Sequence, residues 1–174
     1  MVRDDFWVQE QLGDLYVPSF LMDYPSGAQG RAFNRVERAV ARWPDLLAGV
    51  VWDPATERIV IKATPAGAQR ADRIAARLSA AGVTEAVVVE LVPYSAAGLH
   101  GLHMKVIEDN YGWLGPHSAV ATGSAADIRI NAVIVDMEVP LSEEAVALAR
   151  ARWGRDVRLR FAPGSRMIEQ LPGE

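Results

Sequence analysis

Cysteine is absent from the 174 residues. Disulfides, thiolate nucleophiles and zinc sites built on thiolates are therefore excluded. Histidine is scarce: His100, His103 and His117 are the full set of 3. Any histidine-dependent chemistry must use one of that group. Excess positive charge is missing too. The 18 Lys and Arg against 22 Asp and Glu leave a formal net charge of -4, which argues against nucleic acid as a partner. No stretch approaches the roughly 18 apolar residues of a membrane span, so no membrane partner is expected. Met1 to Trp7 show no apolar core of a secretory leader. Chemical signatures are also lacking. There is no Gly-x-Ser-x-Gly nucleophile elbow, since Gly115-Pro116-His117-Ser118 does not match it. There is no phosphate loop of the Gly-x-x-x-x-Gly-Lys-Ser/Thr type.

What the chain does have is ordinary apolar mass, 50% hydrophobic with 23% charged, and one unit written twice. The first copy is Val50-Val51-Trp52-Asp53, a turn over Pro54 to Glu57, then Arg58-Ile59-Val60-Ile61-Lys62. A helical stretch ending at Gly82 follows, then the apolar run Ala86 to Pro93. The second is Ala125-Ala126-Asp127, then Asn131 to Asp136, a helix ending at Gly154, and Val157 to Phe161 before Pro163. Asp53 matches Asp127, Gly82 matches Gly154 and Pro93 matches Pro163. Such self-similarity speaks first to architecture.

The expected organisation follows. Residues 1–47 form an N-terminal arm and a helix packed on the core. The arm is irregular to about residue 29. Phe33, Val36, Val40 and Trp43 then share one helical face, and Pro44 stops the helix. Residues 48–93 are the first ββαβ unit. Its hairpin turns at 54–57. Its helix runs from Pro65 to Ala81, with Ala71, Ile74, Ala75 and Leu78 inward. Its last strand, nearly continuous Val and Leu, is expected to be covered on both faces. Residues 94–117 are a linking helix from Ser95 to Asp109 and a loop. Residues 118–163 are the second ββαβ unit. There Ser142 is the helix N-cap, and Leu141 staples onto Val146. Residues 164–174 are a tail. The fold class is α+β, two similar hairpin-helix-strand halves with mainly antiparallel sheet and helices on one face. A crossover returns its strand parallel to the one it left. Were it to land beside the first hairpin strand, every neighbouring pair would be antiparallel.

Several of these residues are similar to those of a known family. Trp43-Pro44-Asp45, Ala48-Gly49-Val50-Val51-Trp52-Asp53 and Arg58-Ile59-Val60-Ile61 resemble the pro-regions of actinobacterial secreted serine proteases of the alpha-lytic protease and streptogrisin type. Tyr94-Ser95-Ala96-Ala97-Gly98-Leu99 resembles the start of a later helix in those pro-regions, and Asn131 before its strand resembles their second half. The likeness covers about residues 43–163. Gly98 stands where an acidic capping partner is usual, so the full capping box is absent. The resemblance implies a stand-alone, non-catalytic relative that binds a partner protein, such as a serine protease, as folding assistant or inhibitor. It implies a secreted or cell-envelope setting, while the lack of a visible leader leaves an intracellular one open; no cofactor is expected.

Candidate sites divide along the same line. Met167, Ile168 and Leu171 in the tail are the candidate partner-binding residues. The alternative is a small hydrolase or metal-dependent enzyme using His100, His103 and His117. His100 and His103 are three apart on one helix, and Glu108 or Asp109 could complete a ligand set. The arginines at 150, 152, 155, 158 and 160 read as a helix end and a solvated strand face, offset by Glu143, Glu144 and Asp156.

Overall fold

The computed structural model describes residues 25–83, 86–109, 114–115, 121–140 and 142–162. Leu141, His117, Pro163 and the tail residues Met167, Ile168 and Leu171, to which the sequence assigns roles, lie outside the described residues, as does the arm before residue 25.

Four helices and two three-stranded sheets make up the described chain. In order they are α1 (Gly27–Val40), β1 (Leu47–Asp53), β2 (Arg58–Ala63), α2 (Ala68–Ala80), β3 (Val87–Leu91), α3 (Ala96–Glu108), β4 (Ala121–Asp127), β5 (Ala132–Met137), α4 (Glu143–Trp153) and β6 (Val157–Phe161). A single 3-10 turn, Pro65–Gly67, precedes α2. The class is α+β, with two similar hairpin-helix-strand halves. The strand orders are β1-β2-β3 and β4-β5-β6.

In each sheet the hairpin is antiparallel and is the longer ladder, while the third strand runs parallel to the second. The third strand thus settles beside the strand it left, not beside the first hairpin strand. The crossover helix explains this. It drops onto the face already apolar in β2, and the shortest return sets β3 against the free side of that strand.

Among the described residues the chain forms two compact units. One holds residues 25–101 with the turn 128–131, and the other holds 102–127 and 132–162. In the first, Ile59, Ile61 and Ala63 of β2 alternate onto one face. They are buried with Leu47, with Phe33, Val36 and Val40 of α1, and with Ala71 of α2. In the second, Val133, Val135 and Met137 of β5 take those places. They pack with Val157 and Leu159, with Ala145, Val146 and Ala149 of α4, and with Val106 of α3. Each sheet therefore carries a crossover helix and a preceding helix on one face. Gly101 is the last residue of α3 in the first unit and Leu102 the first in the second.

The duplication holds residue by residue. Both hairpins shift register once, between Leu47 and Gly49 and between Ala121 and Gly123. Both turns end on a left-handed residue, Glu57 at φ 51 and Asn131 at φ 52. Asn suits that conformation, and Glu adopts it at some cost. Gly82 and Gly154 both close their helices at φ 83, where a side chain would be strained. The amide of Ile59 bonds the carbonyl of Ala86 at 3.0 Å, as that of Val133 bonds Asp156 at 3.0 Å.

Helix ends follow local chemistry. Ser142 caps α4, its side chain accepting from the Ala145 amide at 3.1 Å. Ser95 does the same for α3 through the Gly98 amide at 3.1 Å, so half of the capping box survives without its acid. Two boundaries differ from expectation. Helix α1 begins at Gly27, not Arg31, because the Gly30 amide already closes a turn on the Ser26 carbonyl at 3.1 Å. It ends at Val40, short of Trp43, because a residue before proline is pushed out of the α region.

Strand β3 is the main correction. It is not covered on both faces: Val87, Val88 and Val89 are half-buried, and Glu90 and Leu91 are exposed. It is an edge strand, and edge strands keep one side open whatever their composition.

Candidate functional site

The histidines come first, because the enzyme alternative depends on them. His100 and His103 both lie on α3, His100 exposed and His103 half-buried. His103 Nε2 sits 3.0 Å from Ser124 Oγ and 3.1 Å from the Ser124 carbonyl oxygen. A serine hydroxyl beside an imidazole is half of a nucleophile and base pair. Protonated at Nε2, the ring donates to both oxygens of Ser124; in the other tautomer Nε2 accepts from the hydroxyl, and the contact is compatible with either. The same bond occupies that nitrogen against a metal. Among the described residues no three His, Asp or Glu side chains gather as a metal would need.

Two of the arginines near the C-terminus are neutralised by Asp109 and Asp136. Arg152 forks onto Asp109, and the Trp153 indole N–H donates to the same carboxylate at 2.9 Å. That carboxylate, by hydrogen bond first and charge second, holds the Arg152 guanidinium above its ordinary pKa. Arg160 forks onto Asp136 on the neighbouring strand at 2.6 and 2.9 Å. In the first unit the equivalent pair is Lys62 on β2 with Glu90 on β3. Position and geometry match, and the signs are exchanged.

Among the described residues four strands lie at sheet edges. Those of β1 and β4 carry the irregularities at Gly49 and Gly123, and a bulge spoils an edge for pairing. The register of β3 and β6 is unbroken. The Val92 amide bonds the Ala63 carbonyl at 2.9 Å, and the Ala162 amide bonds that of Met137 at 2.8 Å. Alternate residues of a parallel ladder face the neighbour. Val87, Val89 and Leu91, and likewise Val157, Leu159 and Phe161, therefore turn their main-chain groups outward. No strand among the described residues takes that side. Each edge ends on an exposed apolar side chain, Leu91 at 59% and Phe161 at 41%.

Sequence reasoning passed over one further feature. Arg42, Arg70, Arg73 and Arg77 line a groove of about 260 Å³ between α1 and α2, with Trp43, Ala39, Ile74 and Leu78. The signal was present as arginines three and four apart at 70, 73 and 77. Which helix flank those residues would face was not.

Among the described residues no helix is long and apolar enough to cross a membrane. Compared with known protein families and with curated proteins, the chain matches no family model and no curated sequence.

Proposed function

We propose that this protein is a non-catalytic binding module. It acts as a pro-region-like folding assistant or inhibitor of a serine protease, in a secreted or cell-envelope setting. The observation that carries the reading is the outward edge of β6, unbroken and ending on exposed Phe161. An extended segment of a partner adds to such an edge through main-chain hydrogen bonds, and alternate side chains supply selectivity. The resemblance to protease pro-regions names the partner class.

The test uses the full chain and an active-site-blocked, chymotrypsin-like bacterial serine protease, with binding followed by fluorescence anisotropy. Saturable binding is expected. Phe161→Asp should weaken it about tenfold or more, as for loss of a central apolar anchor, while thermal stability holds. Removal of residues 164–174 examines the tail residues Met167, Ile168 and Leu171 in the same assay. No binding by the unaltered chain, or binding indifferent to both changes, overturns the proposal.

A further inference from the structure

The second unit shows what the α1–α2 groove lacks. Between α3 and α4 lies a cleft of about 450 Å³, and it contains its own counter-charge, because Asp109 neutralises Arg152. The groove between α1 and α2 has arginines on both walls and, among the described residues, no acid in its lining. Arg42, Arg73 and Arg77 are exposed, and none forms an ion pair among the described residues. Glu37 and Asp72, the acids of these two helices, fall off the arginine faces at the helical period. Guanidinium groups so placed within a chain of net charge -4 form a local cationic surface, not a general one.

We infer that this groove binds an acidic polypeptide segment of a partner. Three observations choose that ligand. The arginines are strung along the groove, Arg70 to Arg77 spanning roughly 10 Å of helix. One phosphate could engage only one end of such a row, while carboxylates repeated along a peptide match its length. The floor, Ala39, Ile74 and Leu78, is apolar, so the segment must offer apolar side chains between its acids. The Trp43 ring is already covered by the Arg70 guanidinium, 3.9 Å from its centroid. That face is closed to a nucleobase. Arg70, held on the indole, is also the arginine with the least freedom to lose on binding. The site is separate from the β6 edge and does not depend on it.

The experiment uses the full chain and a fluorescein-labelled peptide of alternating Glu and Leu, about twelve residues long. Binding should be saturable and should weaken as salt rises. Arg73→Glu with Arg77→Glu should lower affinity about tenfold or more, since each removes an attraction and adds a repulsion. Arg73→Lys with Arg77→Lys should retain most of it. Both changes are at exposed positions, and far-UV circular dichroism checks the fold. Should the reversal variant unfold, Arg77→Gln gives the same reading more gently. Phe161→Asp should leave this affinity unchanged, so failure here is distinct from failure at the strand edge. Unchanged affinity on charge reversal overturns the inference. So does equal affinity for the Gln-for-Glu peptide, or tighter binding of a single-stranded DNA oligomer.

Discussion

Removing Glu90 should harm the protein far more than removing its partner Lys62. Lys62 is only 6% exposed as a residue, while the Glu90 side chain is 53% exposed. Glu90→Ala strands an ammonium group with no other partner among the described residues. An unsatisfied buried charged group costs about 1–3 kcal/mol or more. Half of Glu90 already meets water, so water reaches the vacated side and holds the cost near the middle, about 2 kcal/mol. In a chain of this length each 1 kcal/mol moves the midpoint by about 2–4 °C, giving a fall of about 4–8 °C. Lys62→Met removes the charge, keeps the packing stem and releases Glu90 to solvent. Its cost should stay within about 0.5 kcal/mol, since replacing a buried charge by an apolar side chain is often neutral. The double variant should match Lys62→Met alone, which puts the coupling at about 2 kcal/mol. Urea and thermal unfolding followed by circular dichroism measure all four species. The reasoning is refuted if Lys62→Met costs as much as Glu90→Ala, because the penalty would then belong to the pair and not to the stranded cation.

Two further outcomes follow from polar groups at the hairpin turns. Asn131 is 4% exposed, and its side chain both accepts from the Tyr94 amide at 2.8 Å and donates to the Tyr94 carbonyl at 2.9 Å. Asn131→Ala removes both bonds and leaves a left-handed alanine, so a loss of about 2–4 kcal/mol is expected in urea unfolding; a loss below about 1 kcal/mol would mean water replaces both bonds. Asp53 is held below its ordinary 3.8, first by the Thr56 hydroxyl, then by the Ala55 and Thr56 amides and by nearby Arg58, against some desolvation. A depressed folded-state value gives stabilisation that is complete above 3.8 and is lost as pH falls through the folded value. The midpoint difference between the natural chain and Asp53→Asn should thus shrink in acid, and a difference constant with pH would exclude the linkage.

The hairpins were the most legible part of the chain, because each is specified by chemistry inside a few residues. Asp53 folds back on the Ala55 amide at 3.0 Å, a local turn that needs no tertiary help. Ile59 and Ile61 alternate with Val60 and Lys62, which fixes the faces. The neighbour of β3 was not legible, since a run of Val and Leu is equally suited to either side of the hairpin. Its burial was misjudged for the same reason: continuous apolarity marks strand propensity and does not count the layers above it. Helix α3 was located correctly. Its division at Gly101 and Leu102 depends on which core each turn meets, and that is a property of the fold. At the candidate sites, the spacing of His100 and His103 suggested shared chemistry. The contact that commits His103 comes from Ser124, on a different element. The arginine groove needed two helix flanks brought together, and neither flank names the other.

The exchanged signs of Lys62–Glu90 and Asp136–Arg160 bear on how a doubled chain avoids confusing its halves. Two hairpins of the same length and register would each accept either crossover strand. Were β6 to settle beside β2, Arg160 would face Lys62; were β3 to settle beside β5, Glu90 would face Asp136. Like charges on adjacent strands repel. Each hairpin is thereby keyed to its own third strand, during folding and when neighbouring molecules could trade segments. The two halves are alike in topology and mutually incompatible in charge.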